Sequence, residues 1–263
     1  MRRLRRLVDK RSARWAEGVF VAEGVEVVRA GIMAGRQPES LFVAADASLP
    51  PAAADVVEEA RRAGVRVLEL APGVMARVAD TVTPQPLLGV FPMVHATVLP
   101  QGAQLVVVLA DVRDPGNAGT IVRTADAAGV DAVVCCGGTV DPYNPKTVRS
   151  SAGSVFHVPL VELRAGDDAP AHGVETTLGA LRSAGFRCLG AVPRDGVAYT
   201  DVDWTERTAL VLGNEAAGLA PTLPLDAGVV IPMAGRAESL NVAVACAVLC
   251  FEALRQRRST IAR

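Results

Sequence analysis

Hydrophobic positions along this chain fall into short solid runs separated by helically spaced stretches. Leu105-Val106-Val107-Val108-Leu109-Ala110 is apolar at every position, the pattern of a strand covered on both faces. Ala132 to Cys136, Phe156 to Leu160, Arg187 to Val192, Thr208 to Leu212 and Val229 to Ile231 are further strand candidates. Helical spacing lies between them, near Lys146 to Ser154 and Val174 to Ala184. This alternation predicts an α/β fold with a mostly parallel sheet and helices on both faces. A closing helix is expected over Ser239 to Arg257. Its apolar positions Val242, Val244, Ala245, Val248, Leu249 and Leu254 form too broad a surface for a solvated helix, so it is expected to pack on the sheet or on a second copy of the chain.

The first part of the chain repeats the alternation on a smaller scale. A basic helix precedes the Val19-Phe20-Val21-Ala22-Glu23-Gly24 run, and a helix is expected from Val25 to Met33. A strand at Ser40 to Ala44, a helix at Asp55 to Gly64 and a strand at Val65 to Leu70 follow. Pro84, Pro86, Pro92 and Pro100 exclude a long helix in the joining region, and Gly89 and Gly102 permit changes of direction. The boundary is therefore placed near 98 to 103, giving domains over 1–98 and 103–263. No internal repeat is evident.

Composition narrows the class. With 263 residues and 50% hydrophobic content, the chain can bury one substantial core and a smaller second one. Aromatic content of 4%, beside 24 glycines and 17 prolines, assigns most packing to alanine, valine and leucine and weakens an enclosed all-β reading. The net charge of −1 gives no global attraction to a polyanion. Locally, Arg2, Arg3, Arg5, Arg6, Lys10, Arg11 and Arg14 face only Asp9, a run that either binds phosphates or is the solvated side of an amphipathic helix. Cys135, Cys136, Cys188, Cys246 and Cys250 sit among apolar neighbours, as reduced core thiols of a cytoplasmic protein do. His95, His157 and His172 lack metal-ligand spacing, so no metal is expected. The basic N-terminus has no apolar signal region and no apolar run is long enough to cross a membrane.

Three polar, glycine-punctuated segments follow strands and carry the candidate chemistry. In Asn117-Ala118-Gly119-Thr120-Ile121-Val122-Arg123, Asn117 can cap a helix after Pro115-Gly116 and Arg123 lies a turn beyond Gly119. In Leu212-Gly213-Asn214-Glu215-Ala216-Ala217-Gly218-Leu219, glycine admits a ligand close to the main chain and Glu215 can orient a donor. After Ile231-Pro232-Met233, Ser239 can cap the last helix with Asn241 in its first turn. Capping and turning alone explain each segment taken singly; together they are more specific.

In their order and separation these segments, with Thr124-Ala125 and Glu238-Ser239-Leu240-Asn241-Val242-Ala243-Val244-Ala245, resemble the SpoU/TrmH branch of the SPOUT RNA methyltransferases. The resemblance covers about 103 to 257, and Val19 to Gly24 looks like the start of the family's N-terminal substrate-binding domain. It implies a deep trefoil-knotted methyltransferase domain, an N-terminal mixed α/β RNA-recognition domain and a homodimer. It also implies S-adenosylmethionine as cofactor and 2′-O-methylation of structured RNA. Ribosomal RNA is preferred to transfer RNA on the N-terminal domain; a noncatalytic RNA-binding or assembly protein is the alternative of another class.

The same resemblance assigns residues. Leu212, Gly213, Asn214, Ile231, Met233 and Leu240 are expected around the cofactor. Arg123 is expected to activate or orient the ribose hydroxyl, with Asn117, Glu215, Ser239 and Asn241 arranging it. A guanidinium cannot take up a proton, so a general-base role needs a strongly perturbed neutral arginine, and a cationic orienting role stands beside it. In the Asp141 to Gly153 segment, Lys146 and Arg149 are candidates for RNA phosphates, as are Arg2, Arg3, Arg5 and Arg6; solvated or ion-paired surface charge is the alternative for each. Tyr143 is either a stacking residue or turn packing.

Overall fold

The computed structural model describes residues 1–45, 48–79, 83–164 and 172–261. The chain forms two compact units, Met1–Val94 with Asp141–His157, and His95–Val140 with Val158–Arg263. The second stretch of the first unit, Asp141–His157, comes from the part of the sequence that linear reading gives to the second domain.

In the first unit the basic stretch is two helices, α1 (Arg2–Asp9) and α2 (Arg11–Glu17), separated at Lys10, whose backbone is extended at φ −120°, ψ 116°. Leu4, Leu7 and Val8 recur at helical spacing and form the buried stripe of α1. Gly18, left-handed at φ 65°, ends α2 and turns the chain into β1 (Val19–Glu23). Then come α3 (Val25–Met33), β2 (Ser40–Ala44), α4 (Pro51–Arg62), β3 (Arg66–Leu70), α5 (Val74–Val78) and β4 (Leu87–Pro92). The sheet order is β1-β4-β2-β3, with β4 antiparallel to both neighbours and β2 parallel to β3. Sequence reading missed β4 because prolines bracket it. They lie before the strand and at its last residue, positions where a missing N–H is tolerated.

The second unit opens with β5 (His95–Ala96), β6 (Leu105–Leu109), α6 (Pro115–Ala127) and β7 (Ala132–Cys135). The chain then supplies α7 (Pro145–Ser150) and a 3₁₀ turn (Ser154–Phe156) to the first unit. It returns through β8 (Leu160–Val161), α8 (Val174–Ser183), β9 (Arg187–Ala191), β10 (Val197–Ala198), β11 (Thr208–Leu212), β12 (Ala227–Val230) and α9 (Val242–Ile261). The eight strands are all parallel, in the order β10-β12-β9-β11-β6-β7-β8-β5. Every residue of β6 and β11 is buried, which is why β6 reads as a solid apolar run and β11 as one after Thr208. From β6 the chain moves to β7 on one side, while β11 flanks it on the other. Their carboxyl ends therefore bound a topological switch point, where open α/β sheets form crevices.

The strand expected at Phe156–Leu160 is instead the 3₁₀ turn and the two-residue β8. Phe156 is needed elsewhere: its ring lies 5.5 Å from that of Phe20 and 4.8 Å from that of Phe91. Gly31 makes room for it, since a Cβ there would stand 2.8 Å from the Phe156 ring. Tyr143 is fully buried, 4.9 Å from the Phe20 ring, so it packs this core and offers no stacking face to RNA.

One buried ion pair holds this segment. Asp141 Oδ2 accepts from Arg14 Nε at 2.8 Å and Nη2 at 2.5 Å, and Oδ1 accepts from Trp15 Nε1 at 3.2 Å and the Tyr143 amide at 3.1 Å. Arg14 Nη1 donates to the Leu7 and Val8 carbonyls, satisfying the end of α1. With side chains only 2% and 5% exposed, neither charge can fall back on water if its partner is lost. Arg14→Met or Asp141→Asn is expected to cost about 3–5 kcal/mol in urea unfolding. The double variant Arg14→Met/Asp141→Asn should lose less than the sum of the single changes; strict additivity would show that the pair is not coupled.

Candidate active site

Asp114, not Asn117, caps α6: its Oδ1 accepts from the Asn117 amide at 2.8 Å, and Pro115 takes the first helical position. The capping role expected of Asn117 thus passes to a neighbour, which frees its side chain. Asn117 Nδ2 donates to Glu215 Oε1 at 3.1 Å, and its Oδ1 accepts from Asn241 Nδ2 at 2.9 Å. Asn241, not Ser239, caps α9, its Oδ1 accepting from the Ala243 amide at 2.9 Å and the Val244 amide at 3.4 Å. Glu215, Asn117 and Asn241 therefore form one chain of hydrogen bonds joining the β11 loop to the starts of α6 and α9.

Glu215 is the acceptor on which this chain converges. Its Oε2 accepts from the Arg113 amide at 3.2 Å and its Oε1 from the Asp114 amide at 3.0 Å, in addition to Asn117. Partial burial pushes the carboxyl up. The hydrogen bonds from Asn117 and from the amides of Asp114, Glu215 and Arg113 outweigh that and hold it below the ordinary carboxylate range.

The loop after β11 is shaped by close main-chain approach. A Cβ on Gly213 would lie 2.5 Å from the Gly218 carbonyl carbon, so only glycine fits. Asn214 and Gly218 exchange main-chain hydrogen bonds of 3.1 and 2.9 Å, and Gly218 is left-handed at φ 68°. The Asn214 side chain accepts from the amides of Ala216 and Ala217 at 3.0 Å and donates to the Asp111 carbonyl at 3.1 Å. Its amide is thus engaged in building the loop.

These loops enclose a cavity of about 600 Å³. Val192, Leu219, Val229, Ile231 and Leu249 supply apolar wall, while Asn117, Glu215, Ser239 and Asn241 supply polar groups. Gly213, Asn214, Met233 and Leu240 also line it. Leu212 does not: it is fully buried, and its carbonyl accepts from the Ala110 amide at 2.8 Å. Arg194 and Glu238, 3.8 Å apart, form a loose, exposed pair; Glu238 lies on the cavity rim.

Arg123 is not brought to the cavity within the chain. Six residues of helix separate it from Asn117, which sets the two side chains about 120° apart in direction and about 9 Å along the axis. It is exposed and has no hydrogen-bond or ion-pair partner among the described residues. Sequence reasoning also missed Asp111, Arg113 and Asp114. The Asp-Pro pair at 114–115 is a helix-start signal that could have found the cap.

The RNA-directed candidates all belong to the first unit. Arg3 binds Glu17 at 2.6 Å and Glu39 at 2.6 and 2.8 Å, Arg6 reaches Glu17 at 3.1 Å, and Arg5 lies 3.6 Å from Asp9. Their hydrogen bonds raise the Arg3 guanidinium and lower Glu39. Arg2 and Lys146 are exposed; Arg149 is half-buried and lies 3.5 Å from the buried Glu23 carboxylate. Cys246 and Cys250 share a buried face of α9 with sulfurs 3.7 Å apart, and the neighbouring thiol and burial push the Cys246 thiol up. Among the described residues there is no group of three or more His, Cys, Asp or Glu able to hold a metal, and no helix long and apolar enough to cross a membrane.

The 23S rRNA (guanosine(2553)-2′-O)-methyltransferase RlmP of Bacillus subtilis is 37% identical over 190 residues, 72% of each chain. The 23S rRNA (uridine(2479)-2′-O)-methyltransferase of Streptomyces viridochromogenes is 41% identical over 150 residues, 55% of this chain and 50% of that one. The solved SpoU methyltransferase AviRb from Streptomyces viridochromogenes, in complex with AdoMet, superposes with a TM-score of 0.82 at 30% identity, covering 98% of this chain and 97% of that one. The AdoMet-bound rRNA methyltransferase from Sinorhizobium meliloti gives 0.79 at 32%, covering 97% and 93%. The fold is thus SPOUT-type α/β. An MRM3-like substrate binding domain matches residues 1–89. The SpoU rRNA methylase family model matches 104–251, a span that takes in β6, the β11 loop, the Asn117–Glu215–Asn241 chain and the start of α9, and on that match this chain belongs to the SpoU rRNA methylase family.

Proposed function

We propose that this protein transfers a methyl group from S-adenosylmethionine to a ribose 2′-oxygen of structured RNA, with ribosomal RNA preferred to transfer RNA. The observation that carries the reading is the hydrogen-bonded chain of Glu215, Asn117 and Asn241 at a glycine-cradled, largely apolar cavity. The cavity suits the cofactor. Its volume of about 600 Å³ is that of a small-molecule site, Gly213 leaves space that a Cβ would fill, and Leu219, Ile231 and Leu240 offer apolar surface to an adenine ring. We retain the family's knotted crevice in this reading on the family match over residues 104–251.

Bound there, the cofactor supplies an electrophilic methyl carbon. The residues of the chain bind and align. Gly213, Asn214, Ile231, Met233 and Leu240 form the bed, and Leu212 acts from behind it by fixing the strand end. Glu215 holds Asn117 in one amide orientation, because a carboxylate oxygen can only accept and so faces the amide's NH₂. Asn117 in turn orients Asn241, and Ser239 adds a hydroxyl on the same rim. Such alignment is the main protein contribution to a displacement at carbon. As the 2′-oxygen gains the methyl, its proton leaves to water or to a neutral Arg123; a cationic Arg123 instead orients the hydroxyl.

Arg123 does not line this cavity within its own chain, so the proposal includes a homodimer in which a second copy brings it to the crevice. The exposed Val244 and Phe251, one heptad apart on α9, are the apolar surface for that contact. Arg2, Arg3, Arg5, Arg6, Lys146 and Arg149 are proposed to hold RNA phosphates, with Glu17, Glu39, Asp9 and Glu23 as the partners that phosphates would replace. A cytoplasmic location accords with five buried cysteines held as thiols.

Labelled cofactor incubated with separated ribosomal and transfer RNA pools is expected to mark ribosomal RNA at one ribose. Cofactor binding with no methylation of either pool would favour the noncatalytic alternative. Arg123→Ala is expected to lower the single-turnover rate roughly 100-fold or more with cofactor affinity intact; an unchanged rate removes Arg123 from the site. Glu215→Gln sets an amide NH₂ against N–H donors and should weaken cofactor binding about tenfold or more. A carboxyl lowered in the folded state stabilises the loops fully above its unfolded pKa, roughly 4.3, and loses that effect as pH falls through the lower folded value. Calorimetric cofactor affinity should therefore persist to about pH 4.5; a decline beginning near pH 6 would contradict the assigned role.

A further inference from the structure

Asp111 and Arg113, between β6 and α6, form a built feature that the cofactor bed and the Asn117 chain do not use. Asp111 is one of the few non-glycine residues in the left-handed region, at φ 65°. That conformation is sterically costly and persists where the surroundings impose it. Here Asn214 Nδ2 holds the Asp111 carbonyl at 3.1 Å, and Gly138 leaves space beside the carboxylate, where a Cβ would come within 3.2 Å of Oδ1. In this pose Asp111 Oδ1 accepts from Arg113 Nε at 2.9 Å. The Arg113 amide meanwhile donates to Glu215. The arginine is thus anchored at its backbone and at one edge of its guanidinium.

The other edge is open. Arg113 is 72% exposed, and its Nη atoms have no partner among the described residues. Asp111 and Glu215 raise its pKa through the Asp111 hydrogen bond and the charge of both, so it stays cationic. Without it, Asp111, Asp114 and Glu215 would present carboxylates alone to an incoming polyanion. A guanidinium can hold a carboxylate on its Nε side while its Nη atoms grip a phosphate, because its five donors point in a fixed fork.

We propose that Arg113 binds the phosphodiester next to the target ribose, with Asp111 as its positioning residue. The inference rests on the methyltransferase reading and extends it to a substrate contact. Arg113→Ala is expected to raise KM for the methylated RNA about tenfold with kcat changed far less, and to leave calorimetric affinity for S-adenosylmethionine unchanged. The slope of log RNA affinity against log salt should shrink by about 1. Arg113→Lys should keep the salt slope and recover part of the affinity, an outcome that a purely structural role would not produce.

Wild-type KM and salt slope in Arg113→Ala would overturn the inference and leave the methyltransferase reading intact. Weakened cofactor binding with unchanged RNA affinity would also overturn it, assigning the guanidinium to the cofactor's carboxylate. If the wild type methylates no RNA, the underlying reading fails and the inference falls with it, a result visible before any variant is compared.

Discussion

The carboxylate of Glu215 is the point through which the loops of the second unit are held in common. It accepts from two main-chain amides at the start of α6 and from the Asn117 side chain, and Asn117 passes the constraint to Asn241. An ionised carboxylate is the side chain suited to this position, since every neighbour presents a donor. The arrangement also fixes which way both asparagine amides point. Two otherwise ambiguous side chains thereby present defined donors and acceptors at the cavity.

The sheet explains why this polar network gathers where it does. β6 and β11 are covered on both faces and are apolar apart from the self-satisfied Thr208 at the start of β11, so the polar residues of the site cluster just beyond their carboxyl ends. Main-chain close approach at Gly213 then shapes the bed, and capping residues at 114 and 241 start helices at its edges. Ordinary helix-terminus chemistry thus sets the positions from which the specialised side chains project.

Much of this was legible in the residues. Solid apolar runs located β6, β7, β9 and β11, and α3, β2 and β11 have the bounds that periodicity predicts. What escaped was governed by tertiary context. β4 is bracketed by prolines that local rules count against a strand, and Phe156 serves an aromatic cluster assembled from Phe20 and Phe91. At the site, the polar set was legible as a set while its division of labour was not. Whether Asp114 or Asn117 caps α6, or Ser239 or Asn241 caps α9, is a difference of two or three residues in where the helix begins; Asp-Pro marks the first start, and no comparable signal marks the second. Leu212 and Arg123 show the same limit: spacing singles out their segments, yet Leu212 is buried behind the cavity wall and Arg123 lies on another face of its helix.

The interleaving of the two units has a consequence for synthesis. On the ribosome the polypeptide emerges from its amino end, and Arg14 must await Asp141 and the rings that follow it. By then β6, α6 and β7 are already outside the exit tunnel while β9, β11 and β12 are still to come. The leading module therefore completes its interior only after the trailing one has begun, and the nascent chain must keep two half-built hydrophobic interiors from aggregating at once.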